Sequence, residues 1–485
     1  MESSFWLYVM PLIYVLNLVF SGFVIFNRRK SPTSTWAWLL LLFFLPILGF
    51  ILYILVGRNL QKNKFVRWQA IHGEQIQSIF QQQLHMIQQK NYTFPNAITD
   101  KNAQLIHMNL VNNHAFFSAA NDVKLFTDGN EKFAAVIDDI LAAKHHIHVQ
   151  YYIYKMDEIG TAIYEALVKK AKEGVEVRVI YDDLGSRKLR KKHFQELIDA
   201  GGEVAAFFPS FVKILNPRIN FRNHRKLVIV DGVVGYIGGF NVGKEYASLD
   251  EKIGYWHDIH LRIVGEGIYS IQAHFLFDWQ QANGQQHITY NDTIYFPPQH
   301  VTDILPIQIV SSGPDTDFES IKDSYIRMIL SAKKYVYIES PYFVPDDAFL
   351  SALTIAASSG VDVRVITPAK PDHPFVYGAN SAYGGDLLDY GGRVFRYEKG
   401  FLHGKMMVVD DELVTIGTTN IDVRSFSLNF EINAILFDKD FAIQCRQLFE
   451  HNISLSREIT NDIYEKRPLW TKIREAFSRL LAPLL

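Results

Sequence analysis

The chain has 485 residues, enough for two or more domains with sizeable cores. Its formal charge at pH 7 is only -2, so no overall basic field argues for a nucleic-acid partner. The single cysteine, Cys445, excludes an intramolecular disulfide framework and reads as a core residue.

Two apolar runs open the chain, Phe5–Phe26 and Trp36–Val56. Each is about 20 residues, the length that crosses a bilayer. Glu2 precedes the first run and a second run follows it, which argues against a cleaved signal peptide. Trp6, Tyr8, Trp36, Trp38 and Tyr53 fall toward the run ends, as interfacial anchors do. A two-helix transmembrane hairpin is expected over residues 1–60, with a buried hydrophobic hairpin as the competing reading. The charges that orient such a hairpin are nearly tied: Arg28, Arg29 and Lys30 in the loop against Arg58, Lys62, Lys64 and Arg67 beyond it.

Residues 61–120 read as a helical connector. Within Gln69–Gln89, Ile71, Ile76, Ile79, Phe80 and Leu84 recur at near-helical spacing, which predicts an amphipathic helix followed by a loop near Asn91–Asn96. No chemistry is apparent there.

From about residue 121 the chain repeats itself. ILAAKHHIHVQYYIY (140–154) returns as ILSAKKYVYIESPYF (329–343), GVEVRVI (174–180) as GVDVRVI (360–366), and DAGGEV (199–204) as DYGGRV (389–394). Helices and strands alternate in both copies, which predicts two tandem α/β domains, 121–295 and 296–465, on largely buried sheets.

Each copy then reaches the same short stretch, HRKLVIVD at 224–231 and HGKMMVVD at 403–410. Both place a His, a Lys two positions on and an Asp five further: His224, Lys226, Asp231 and His403, Lys405, Asp410. The four apolar residues between Lys and Asp suit a buried strand, and side chains two apart on a strand share a face. Each copy continues to a Gly-containing turn and an Asn, Asn241 and Asn420, both 17 positions after the histidine. A lone histidine is usually a satisfied core residue; two copies of this length and pattern are not coincidence. The first copy carries a longer approach to its motif, FFPSFVKILNPRINFRN (207–223), an apolar and basic piece expected at the rim of a site, with a solvent loop as the competing reading.

Asp258, in YWHDIH, and Glu431, in NFEIN, follow their motifs and are candidates to orient the histidines from behind. His257 and His260 flank Asp258, a weak metal-site pattern. No acidic cluster or His/Cys spacing points to a catalytic metal, and no cofactor is expected. The tail 466–485 sets Leu469, Trp470, Ile473, Phe477, Leu480, Leu481 and Leu484 on one helical side, with Lys466, Arg467, Lys472, Arg474 and Arg479 mostly elsewhere. That is the pattern of an interfacial membrane helix or of a helix packed on a core.

The duplicated HxKxxxxD with its small-residue turn and Asn resembles the phospholipase D superfamily. Together with the apolar start and TTNIDVRSFSLNFEINA (418–434), the chain is similar over nearly its whole length to bacterial cardiolipin synthases. The resemblance implies one site formed where both motifs meet, with His224 as nucleophile and His403 as general acid and base. It also places Arg424 and Ser425 near the second motif. Phosphodiester displacement would pass through a phosphohistidine, with Lys226, Lys405, Asn241 and Asn420 holding the non-bridging oxygens. Asp231 and Asp410 fit a structural or histidine-orienting role better than proton transfer. The implied reaction joins two phosphatidylglycerol molecules at a membrane, with the catalytic region on the cytoplasmic side. A hydrolytic phospholipase D, a tethered nuclease and a non-catalytic scaffold are the alternatives, the nuclease disfavoured by the near-neutral charge.

Overall fold

The computed structural model describes residues 2–26, 32–56, 74–89, 91–209, 220–284, 292–316, 318–370 and 374–482. It divides into two compact units, residues 1–61 with 210–221, and residues 62–209 with 222–485.

The first unit holds the helices Glu2–Phe26, Pro32–Phe44 and Pro46–Val56. The second predicted span is thus broken at Leu45. Pro46 lacks an N–H and its ring disfavours a helical residue before it. Val24, Leu42 and Tyr53 form a small interior with Phe20 and Trp38 against it, and Asn17 donates to the Leu42 carbonyl at 2.6 Å. Most other large apolar side chains described here, from Leu18 to Phe44, face outward. Among the described residues no helix is long and apolar enough to cross a membrane. The side chains of the predicted anchors Trp6 and Tyr8 lie outside what is described, as do both sets of orienting basic residues.

In the second unit, each copy of the repeat builds the same seven strands in the same order. The first sheet runs Asn121–Phe126, His260–Gly265, Val234–Gly238, Leu227–Val230, His146–Tyr151, Glu176–Asp182, Glu203–Phe207. Its counterpart runs Ile307–Ser312, Asn429–Leu436, Leu413–Gly417, Met406–Val409, Tyr335–Glu339, Asp362–Pro368, Arg393–Tyr397, with short strands added at both edges. The last three strands of each series are parallel and the rest antiparallel. The parallel part is the helix-connected βαβ region that the repeat predicts. The antiparallel part holds the two motif strands, each joined to its next strand by a three-residue turn, 231–233 and 410–412.

Caps fix the helix starts. Asp128, Asp157, Asp346 and Asp438 each accept backbone N–H groups at the first turn of their helices. The helix Gly267–Asn283 is buried from Gly267 to Gln280 and packs on strands of both sheets, so it ties the halves into one body. The connector helix Glu74–Gln88 is seated by Gln83, which is buried and exchanges two hydrogen bonds with the Phe117 backbone, 2.8 and 2.7 Å.

Candidate active site

Both HxK stretches run extended just before their strands, Leu227–Val230 and Met406–Val409. What places the histidines is a pair of two-residue parallel ladders between the halves. Arg222–Asn223 pairs with Asn429–Phe430, and Phe401–Leu402 pairs with Trp256–His257. Continuing each register by one residue sets His224 opposite Glu431 and His403 opposite Asp258. The backbone confirms the alignment: His224 N–H donates to Phe430 O at 3.0 Å, and His403 N–H to His257 O at 2.7 Å.

The carboxylates therefore serve the histidine of the other half. His224 Nδ1 lies 3.0 and 2.9 Å from the two oxygens of Glu431. His403 Nδ1 lies 2.6 Å from Asp258 Oδ2. Both carboxylate side chains are fully buried, whereas the imidazoles keep 10 and 12% side-chain exposure. A carboxylate at Nδ1 takes that nitrogen's proton as a hydrogen bond and leaves Nε2 with its lone pair. Among the described residues neither Nε2 has a hydrogen-bond partner. The cluster presents two oriented imidazoles with a free nitrogen each.

The lysines sit beside them. Lys226 is buried and donates to the His224 carbonyl at 2.6 Å, and Lys405 reaches the His403 carbonyl. Lys405 Nζ is also 2.9 Å from His403 Nδ1. With Nδ1–H committed to Asp258, that approach is a charge contact rather than a second hydrogen bond. Burial pushes the Lys226 ammonium well below its usual range, against the pull of Glu431. It lowers both imidazoles too: His224 despite Glu431, and His403 to about 4, helped by Lys405 and opposed by Asp258. Asp258, which burial alone would raise, is held below its ordinary value by His403 and Lys405. Glu431 and Asp258 set the charge around the two lysines: both act on Lys226, and Lys405 acts on Asp258.

Asp231 and Asp410 are not part of the cluster. Asp231 accepts the backbone N–H groups of Lys144, His145 and His146, and Asp410 those of Lys333, Lys334 and Tyr335. They pin the start of the neighbouring strand at the far end of the catalytic one. Of the two roles expected for these aspartates, structural or histidine-orienting, their contacts are structural. Asn241 accepts Ile153 N–H at 3.0 Å, while Asn420 Oδ1 is buried without a hydrogen-bond partner. Arg424 stands on the short helix Val423–Ser427, and its charge reaches Tyr152 together with that of Arg222. Asp422 caps that turn, its carboxylate accepting the Ser425 N–H at 2.6 Å.

His257 and His260 do not converge. His257 pairs with Glu339 at 2.7 Å, and His260 is enclosed beside Tyr236 and Phe240. Among the described residues no group of three or more His, Cys, Asp or Glu side chains is arranged to hold a metal. The rim segment 207–223 falls largely outside the described residues; of its ends, Phe207 and Phe208 are buried against Phe430.

Sequence reasoning missed several supports. Tyr152 stacks edge-on to His224 at 4.9 Å, and Trp256 lies 5.2 Å from His403. Asp278, on the buried helix, binds Arg225 at 2.6 Å and Asn223 at 2.9 Å, fixing the residues either side of His224. Thr418 donates its hydroxyl to Glu431. Only Thr418 carried a signal, as the residue matching Gly239 in the other turn.

Comparison with known proteins agrees with this geometry. The family described as "Cardiolipin synthase, PLD-like domain" matches residues 136–264 and 325–453, and "Phospholipase_D-nuclease N-terminal" matches 15–58. The chain is 49% identical to the major cardiolipin synthase ClsA of Bacillus subtilis, over 98% of this chain and 99% of that protein. It is 47% identical to a cardiolipin synthase of Staphylococcus aureus (97 and 95% covered) and 46% to one of Listeria monocytogenes (99% of both). Among solved structures, phosphatidylserine synthase of Haemophilus influenzae shares the fold, with a TM-score of 0.57 at 14% identity, covering 79% of this chain and all of that one.

Proposed function

The chain belongs to the cardiolipin synthase family of phospholipase D-like proteins, and we propose that it converts two phosphatidylglycerol molecules into cardiolipin and glycerol through a phosphohistidine on His224. The observation that carries the reading is the reciprocal pairing, His224 with Glu431 and His403 with Asp258. It equips two neutral imidazoles for opposite duties in one cleft.

In the first step His224 Nε2 bonds to phosphorus and the phosphorus–oxygen bond to the glycerol headgroup breaks. His403, protonated once the substrate is bound, gives its proton to the departing glycerol oxygen. In the second step the free hydroxyl of another phosphatidylglycerol loses its proton to His403. Its oxygen bonds to phosphorus and the phosphorus–nitrogen bond breaks. Lys226 and Lys405 supply positive charge to the non-bridging oxygens as negative charge grows there. Glu431 and Asp258 stabilise the imidazolium that forms in each half-reaction. Asn241, Asn420 and Arg424 are assigned to headgroup and phosphate positioning. The exposed apolar surface of the first unit and the match over 15–58 support a membrane-inserted hairpin, and the biosynthetic role implied by the family resemblance supports a cytoplasmic catalytic body.

The test is incubation of purified full-length protein with phosphatidylglycerol in mixed micelles containing a chelator, following cardiolipin and free glycerol. Equal amounts of both, lost in His224→Ala and in His403→Ala, are expected. A lipid adduct labile to acid should form on His403→Ala but not on His224→Ala. Phosphatidic acid in place of cardiolipin would reassign the chain to hydrolysis.

A further inference from the structure

The C-terminal helix Leu469–Leu480 is turned inside out. Its buried residues are Glu475 and Ser478. Leu469, Trp470, Phe477 and Leu480 are 72, 80, 64 and 76% exposed, and Ile473 lies between them on the same side. An amphipathic helix on a soluble protein ordinarily buries the other face.

The inward side is committed to protein. It packs on the helix Pro374–Asp389, where Gly378 faces Ser478 so closely that a methyl group there would sit 2.4 Å from the Ser478 hydroxyl. Glu475 is bound by Arg467 at 2.9 Å, and Arg479 reaches Asp386 at 2.7 Å. Rolling the helix to bury its apolar side would break both ion pairs and drive large side chains into the glycine contact. The outward face is therefore a built feature, a contiguous patch of leucines with one Trp and one Phe.

The charge beside the patch says what covers it. Residues 461–482 carry five basic side chains against three acidic, and Lys466, Arg467, Lys472 and Arg479 stand in ion-pair reach of Asp462, Glu475, Glu465 and Asp386. Arg474 is exposed and, among the described residues, makes no ion pair, its charge reaching only the neighbouring Glu475. We propose that this face is a peripheral membrane contact, lying at the boundary of headgroups and acyl chains of an anionic bilayer. Leu469, Trp470, Phe477 and Leu480 enter the apolar layer while Arg474 meets lipid phosphates. The inference rests on the reading of an anionic lipid as substrate. It gives the catalytic body its own hold on the surface that supplies that lipid.

The experiment uses the full chain carrying Phe477→Cys labelled with an environment-sensitive thiol probe; Cys445 is fully buried and stays unlabelled. The protein is reconstituted in vesicles of phosphatidylcholine with or without phosphatidylglycerol, with bromine placed on the acyl chains. Blue-shifted emission quenched by acyl bromine, stronger in the anionic vesicles, is expected. Absence of quenching in both, or oxidation of unlabelled Phe477→Cys to a disulfide-linked pair of chains, would overturn the proposal, the latter in favour of a second copy as occupant. A triple variant, Leu469→Ser, Trp470→Ser and Phe477→Ser, should lose roughly tenfold or more activity on vesicle substrate. On detergent-dispersed substrate it should stay within about twofold of the parent. Equal loss in both would reduce the face to a structural role. If the parent makes no cardiolipin in either form, the synthase reading fails, while the quenching still decides the contact.

Discussion

At the scale of single residues, the two buried carboxylates do different work from the two aspartates of the motifs. Asp258 and Glu431 hold imidazole tautomers, so Asp258→Asn and Glu431→Gln should cut kcat by roughly 10²–10⁴ and leave KM within a few-fold. A KM rise with kcat intact would instead make them substrate contacts. Asp231 and Asp410 each satisfy three backbone N–H groups. Asp231→Ala should therefore lower stability by about 2–4 kcal/mol, seen as a reduced denaturation midpoint, with activity per folded molecule retained. Full activity loss in a folded Asp231→Ala protein would return that residue to the catalytic set. Sequence reading named all six motif side chains and left the two aspartates either a structural or a histidine-orienting role. Spacing alone cannot tell a residue at the site end of a strand from one at its far end.

Between elements, the two turns after the catalytic strands have diverged in compensating ways. In the first turn, a Cβ added to Gly239 would meet Asp258 Oδ1 at 1.9 Å. In the second turn the matching residue is Thr418, whose hydroxyl binds the longer Glu431. Gly239→Ala should push Asp258 off His403, and so impair a histidine that belongs to the other half. The expected signature is slowed release of glycerol and a displaced acid limb in the pH–rate profile; an unchanged profile would break the coupling. Gly404 is equally confined, with Glu339 Oε1 2.1 Å from where its Cβ would lie. Gly404→Ala should cost more stability than the usual surface change, read by thermal unfolding.

For the whole molecule, the site exists only because two half-domains share it, and its acidity couples to folding. His403 titrates near 4 in the folded protein against 6.5 for an ordinary imidazole. The unfolded chain therefore binds a proton between those values that the folded chain does not. The stability tied to His403 is complete above pH 6.5 and is lost as pH falls toward 4. Unfolding followed from pH 7 to 4.5 should show a shallower decline for His403→Asn than for the parent; matching slopes would refute the assignment. Much of this organisation was legible beforehand. The duplicated motif with its matched spacing marked the histidines, lysines and asparagines, and the repeated helix–strand order predicted two like sheets, because local periodicity and residue type are written in neighbouring positions. The second apolar run was read as one span, and the structure splits it at Pro46. What the tertiary structure alone decided was partnership. Asp258 and Glu431 could be named from sequence as orienting groups, but not that each serves the opposite half. That choice is made by two-residue ladders between segments 145 and 207 positions apart in the chain, from 258 to 403 and from 224 to 431. The same holds for the last helix, whose amphipathic pattern was plain but whose outward apolar face follows only from the glycine and ion-pair contacts that claim its polar side. Sequence records which chemistry a face carries; packing determines which face meets what.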